Sequence, residues 1–194
     1  MLFPRRTDIK LDYLSYVNSG LQTPYEIIDG EVIMVPSPTL DHQELLGRVY
    51  GLIMNKMSAQ GGLKIVFAPL DLIVSRVPLK IYQPDLMIFR EEAGIVNEDR
   101  LIEGPPDLII EILSPTSRHK DYVEKKEAYE RLGVQEYWIL DPETHSISMF
   151  FKSHAKGYGI GKIMNQGEIR SQIFPEIAFS LDSLFPRQAK NENS

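Results

Sequence analysis

The sequence predicts an α/β fold built on a mixed sheet, and two observations carry that expectation. Between residues 41 and 141 the pattern reads helix, three strands, helix, strand. The last strand before the second helix, PDLIIEIL, is apolar on both faces, as a central strand covered from both sides would be. A chain of 194 residues fits one domain, expected over residues 1–186, with a polar tail at 187–194 that should fray. Hydrophobic residues at 43% and charged residues at 25% are ordinary for a globular domain and argue against disorder.

Taken in order, Ile9, Leu11, Leu14, Tyr16 and Val17 give an apolar stripe at helical spacing, ended by Asn18, Ser19 and Gly20. YEIIDGEVIMVP then places two β-branched runs around Asp29-Gly30, a dipeptide suited to the positive φ angles of a type I′ turn, so a β-hairpin is expected over residues 25–35. From Asp41 to Ala59, Leu45, Leu46, Val49, Leu52, Ile53 and Met57 recur at helical spacing. Asp41 and Glu44 resemble a capping box and Gly61-Gly62 would end the helix. The strands LKIVFAPLDLIV, LKIYQPDLMIF and PDLIIEIL follow, the last two separated by a polar excursion from Arg90 to Gly104. A second helix is expected from Arg118 to Leu132, stopped by Gly133, then the strand EYWILD, the turn DPET and the pairing strand HSISMFFK. Short strands, a glycine-rich turn at 157–161 and the apolar pair Leu184-Phe185 complete the C-terminal part.

Composition excludes several classes of function. Without cysteine there are no disulfides and no thiolate zinc site, so any metal must rest on oxygen or imidazole. The N-terminus lacks the apolar stretch of a signal peptide, and no apolar run approaches the roughly 20 residues that span a bilayer. A cytoplasmic protein with no membrane partner is the expectation. A net charge of −6 argues against a broad basic face, so any contact with nucleic acid would be local.

Glu111 is the anomaly in this pattern. It stands among Leu108, Ile109, Ile110, Ile112 and Leu113, where an unpaired carboxylate would cost several kcal/mol or become neutral. A strand-end position or a structural ion pair would explain it, but so would a metal. Asp85, after Pro84, precedes the apolar run of the previous strand. Two strands that each bring one carboxylate to the same end offer what Mg²⁺ needs while it keeps waters and takes phosphate oxygens. On the following helix, Lys125 has Tyr122, Ala128, Tyr129 and Leu132 at helical spacing around it, so a cation lies in the face that should pack on the sheet. It would either snorkel to water or reach back to Glu111. Lys126 is the alternative partner.

The combination of PD, PDLIIEILSP and KKEAYERLGVQEYWILDP, with the YEIIDGE hairpin and the segment PSPTLDHQ, resembles the bacterial Uma family, assigned to the endonucleases of the PD-(D/E)XK restriction-nuclease-like superfamily. The resemblance runs over roughly residues 24 to 152 and implies a restriction-endonuclease-like core with an added N-terminal helix, β-hairpin and C-terminal strands. It further implies that Asp85 and Glu111 are metal-binding acids and that Ile112 offers a backbone carbonyl to the ion. Glu26 and His42 match family positions for supporting or substrate contacts, and Tyr129 stands at the K-x-x-x-Y spacing from Lys125. The motif lysine expected two residues after Glu111 is Leu113 here; Lys125 on the helix matches the position to which the lysine migrates in this family. The activity implied is Mg²⁺-dependent (or Mn²⁺-dependent) hydrolysis of phosphodiester bonds in nucleic acid, DNA first, by a homodimer. Arg118, His119, Lys120 and Lys126 form a basic cluster expected to meet flanking phosphates. Two other classes stay open. An inactive nuclease-fold binding or regulatory protein would keep Glu111 and Lys125 as a structural pair, whereas an enzyme acting on a small phosphorylated substrate would need a closed pocket.

Overall fold

The computed structural model describes residues 6–21, 24–57, 62–90, 96–97, 101–153, 157–159 and 161–186. The expected polar tail, and residues 58–61 at the expected end of the first long helix before Gly62, lie outside them. Strand β1 (Arg6–Lys10) precedes helix α1 (Tyr13–Val17). Ile9 therefore belongs to a strand and not to the helix read from the sequence. Asp12 starts the helix instead, accepting a hydrogen bond from the Ser15 N–H at 2.7 Å. The hairpin of β2 (Tyr25–Ile28) and β3 (Glu31–Met34) turns where expected, with φ of 52° at Asp29 and 83° at Gly30. A side chain at Gly30 would strike the carbonyl of Leu11 at 2.8 Å, so glycine is required there for the approach of the chain leading into α1.

Helix α2 (Leu40–Met57) buries Leu45, Val49, Ile53 and Met57 along one stripe. Its first turn is capped by Thr39, whose hydroxyl accepts from the His42 N–H at 3.3 Å, while Glu44 pairs with Arg48 one turn on. The two long apolar runs after it each divide at a proline. LKIVFAPLDLIV becomes β4 (Leu63–Phe67) and β5 (Asp71–Arg76); LKIYQPDLMIF becomes β6 (Leu79–Tyr82) and β7 (Leu86–Arg90). Proline has no N–H for a ladder, so Pro69 and Pro84 are where the chain changes sheet. The polar excursion contributes β8 (Val96–Asn97) and β9 (Leu101–Glu103), and β9 runs parallel to β5.

Strand β10 (Leu108–Ile112) is wholly buried. A π-helical turn (Lys120–Lys125) leads into α3 (Lys126–Leu132), which Gly133 stops at a φ of 110°. Then come β11 (Glu136–Asp141), β12 (Ser146–Ser153), β13 (Gly157–Tyr158) and β14 (Lys162–Met164). A ribbon of β15 (Glu168–Arg170) and β16 (Ala178–Ser180) and a last turn α4 (Leu181–Leu184) close the described chain.

One sheet has the order β1-β3-β2-β6-β5-β9-β8 and the other β13-β12-β11-β10-β7-β4, with β14 also on β12. The expected core of helix, three strands, helix and strand is therefore α2, then β4, β7 and β10, then α3 and β11, while β5 and β6 leave for the first sheet. Strand β11 is parallel to β10, whereas β7 is antiparallel to it, which makes the sheet mixed. Even-numbered residues of β10 and β11, such as Ile110, Ile112, Trp138 and Leu140, pack with α2. Odd-numbered ones, Ile109, Tyr137 and Ile139, pack with Ala128 and Tyr129 of α3. Glu111 is in the odd set. Among the described residues no helix is long and apolar enough to cross a membrane.

Candidate active site

The strand register decides which side chains meet. Leu86 pairs with Ile110 and Met87 with Ile109, so Asp85, the residue before β7, comes to the end of β10 at which Glu111 stands. Asp85 stands at the switch of sheets after Pro84, at the very end of β7. Its Oδ2 accepts the Ile112 N–H at 2.7 Å and lies 3.2 Å from Nε2 of His42, which projects from the first turn of α2. Burial opposes a charge on His42, but Asp85 and the Ile112 carbonyl outweigh it and raise its pKa. Three expected residues, His42, Asp85 and Ile112, thus form one contiguous group.

Glu111 Oε1 accepts from the Lys125 ammonium at 2.8 Å and from the Tyr129 hydroxyl at 2.7 Å. Lys125, and not Lys126, is the lysine that folds back over the strand. Its ammonium also stands 3.5 Å from Glu26 on β2 and 3.3 Å from Asp121. Lys120 pairs with Glu26 from the other side. Three carboxylates, of Glu26, Glu111 and Asp121, therefore share two ammonium groups, and Asp85 pairs with His42 beside them. Burial pushes the Glu111 carboxyl up to about 8; Lys125 opposes that rise, and Asp85 and Asp121 add to it. Burial alone would lower Lys125, but Glu111 and Asp121 hold its proton well above the usual lysine range. Tyr129 keeps its proton as well, through burial and the nearby Glu111 charge, and so remains a donor.

This donor set fits a hard divalent cation. Both hydrogen bonds to Glu111 fall on Oε1 and both to Asp85 on Oδ2, leaving Oε2 and Oδ1 without one among the described residues. The excess of negative charge is what a cation would relieve. Among the described residues no three His, Asp or Glu side chains gather into a ready metal cage. Two carboxylates and the Ile112 carbonyl are what remain, a set that leaves positions for water and phosphate, as Mg²⁺ requires.

The remaining expected contacts sit elsewhere. Arg118 is tied to Asp141 at 2.7 Å with Glu143 beyond, and the Lys126 ammonium lies 4.6 Å from the centre of the Phe150 ring. His119 is beside Glu124. Sequence reasoning missed Asp121, whose only signal was its place four residues before Lys125. It also missed Tyr82, whose ring centre lies 5.8 Å from both the Lys120 and Lys125 ammonium groups.

Comparison with known proteins gives the family and the fold. Residues 12–182 match the model of the Uma2 family, described as "Putative restriction endonuclease". A solved structure from Anabaena variabilis ATCC 29413, described as a "putative nuclease", superposes with a TM-score of 0.74 at 19% identity, over 89% of this chain and 96% of that one. At that identity the likeness establishes the mixed α/β fold. No curated protein matches the sequence.

Proposed function

Since the chain belongs to the Uma2 family, we propose that it is a Mg²⁺-dependent endonuclease that hydrolyses phosphodiester bonds of DNA. The observation that carries this reading is the Lys125–Glu111 bond, made at the strand end where Asp85 accepts the Ile112 N–H. It supplies from the helix the lysine that Leu113 cannot, since Leu113 is buried in the core.

Asp85, Glu111 and the Ile112 carbonyl would hold the ion, with Mn²⁺ as a substitute. Bound there, it would polarise the scissile phosphate and lower the pKa of a water. The chain's own groups do the rest. His42 and the Ile112 N–H fix the Asp85 carboxylate, and Tyr129 fixes that of Glu111. Lys125, held protonated by its carboxylate neighbours, orients the attacking water or offsets the charge that grows on phosphate oxygens in the transition state. Glu26 and Asp121 set the position of that ammonium. Arg118 and Lys126 are proposed contacts to flanking phosphates, and a homodimer would let one subunit meet each strand.

The test is nicking of supercoiled plasmid with Mg²⁺ or Mn²⁺ by wild type and by folded Asp85→Asn, Glu111→Gln and Lys125→Ala variants. Activity in wild type and loss of it in all three is the expected result. A wild type that is folded, binds no metal and nicks nothing would leave Glu111 and Lys125 as a structural pair in a binding protein.

A further inference from the structure

Lys120 and Lys125 are five residues apart. On an α-helix residues at that spacing point about 140° apart, so a lysine at 120 would face away from one that covers the sheet. The turn from Lys120 to Lys125 is π-helical, closing over five residues rather than four, and this brings the two positions into line. Both ammonium groups consequently reach Glu26, and both lie 5.8 Å from the centre of the Tyr82 ring. Glu26 lies on β2 of the first sheet, paired with Ile33 across the hairpin, and is buried.

The two lysines differ in access. The Lys125 side chain is 8% exposed and spends its donors on Glu111, Glu26 and Asp121, whereas that of Lys120 is 24% exposed and, among the described residues, forms an ion pair with Glu26 alone. An ammonium has three donors, so Lys120 keeps some for an incoming anion. The hydroxyl of Tyr82, whose ring the two ammonium groups flank, is buried and lacks a hydrogen-bond partner among the described residues, a state that a buried group rarely tolerates unless a ligand or water completes it.

We propose that Lys120 is a second catalytic lysine of this centre, its ammonium holding a non-bridging oxygen of the scissile phosphate while Lys125 stays on Glu111. The proposal rests on the nuclease reading and adds to it a residue that helical periodicity places on the wrong face. Burial and the Lys125 charge lower the Lys120 pKa to about 8, with Asp121 and Glu124 acting against them. An ammonium in that condition gains from an anionic ligand.

The experiment measures Mn²⁺ binding, thermal melting and single-turnover nicking for wild type and for Lys120→Met, Lys120→Ala and Lys120→Arg. The methionine keeps a stem over Tyr82 and so separates lost charge from lost packing. The expected result is wild-type Mn²⁺ affinity in all variants, a roughly hundredfold slower cleavage step in Lys120→Met and Lys120→Ala, and recovery of most of it in Lys120→Arg. If wild type nicks and Lys120→Met, folded and metal-bound, nicks within threefold of it, the second lysine is overturned and the nuclease reading stands. If wild type neither binds Mn²⁺ nor nicks, both fall. If arginine is as slow as methionine, the positive charge is not what the position supplies, and the proposal fails on that ground.

Discussion

Two buried glutamates stand in neighbouring strands of one sheet and solve the same electrostatic problem differently. Glu136, on β11, is surrounded by neutral donors: Trp138 Nε1 and the Ser171 hydroxyl at 2.6 Å, and the backbone N–H groups of Gln172 and Ile173 at 3.1 and 3.3 Å. Both of its oxygens are used, and the effect is to pin the chain after β15 against the sheet. Glu111, on β10 and facing the other side, has a lysine and a tyrosine on one oxygen and, among the described residues, no donor on the other; burial raises its pKa and two acidic neighbours add to the rise. A carboxylate satisfied by fixed dipoles holds a fold together. One crowded by like charges is left with a need that a cation can meet.

The largest expected effect separates the two outright. Glu111→Gln should lower nicking by roughly a thousandfold or more while the protein stays folded, because Lys125 keeps Asp121 and Glu26 as partners. Glu136→Ala should do the reverse. Leaving buried donors unpaired costs about 1–3 kcal/mol, a fall of about 3–9 °C in melting temperature, with the nicking rate of the folded protein unchanged. Thermal melts and plasmid nicking on the same preparations check both; a large loss of stability in Glu111→Gln would make that residue structural.

The next effect is that of metal. Saturating Mg²⁺ or Mn²⁺ should raise the melting temperature of wild type and of Glu136→Ala, by about 2.7 kcal/mol in stability at a hundred times Kd, and leave Glu111→Gln unmoved. An equal shift in all three proteins would place the ion away from Glu111.

Smaller again is the response to pH. Burial raises both carboxyls above the usual value of 4.5 in the folded chain, that of Glu111 to about 8. A group whose folded pKa is raised adds stability that is complete below the unfolded value and lost as pH rises through the folded one. Metal-free wild type should therefore lose stability between about pH 5 and pH 8, and Glu111→Gln should flatten that slope more than Glu136→Gln does. Denaturant melts at a series of pH values measure it. Smallest of all is Arg131→Ala, which removes only an exposed pair with Glu127; a stability change under about 0.5 kcal/mol and no change in nicking are expected.

Much of this comparison was legible in the sequence. The anomaly of Glu111 in an apolar run, the return of Lys125 from the next helix and the turn at Asp29-Gly30 all follow from local chemistry, because period and turn residues are local properties. What was hidden depends on non-local geometry. Two apolar runs looked like single strands because composition is continuous across Pro69 and Pro84, although the chain changes sheet there, and this switch is what leaves Asp85 at a strand end. Ile9 has the right spacing for a helix, but strand pairing with β3 claims its segment. The π-helical turn left no mark in KDYVEK, so the sequence groups Lys120 with Arg118 and Lys126 in a basic cluster expected to meet flanking phosphates. Arg118 instead meets Asp141, which no spacing in the sequence announces. The acidic excess around Lys125 likewise arises only when β2 of the first sheet brings Glu26 over a helix that packs on the second.

The central claim is that Glu111 is tolerated in an apolar strand because a lysine and a divalent cation together compensate it. Calorimetric titration of Mn²⁺ into wild type, Asp85→Asn and Glu111→Gln tests this most directly. One binding event in wild type that is abolished in both variants is the result the account predicts. Binding of undiminished affinity in Glu111→Gln, or none in folded wild type, would contradict it.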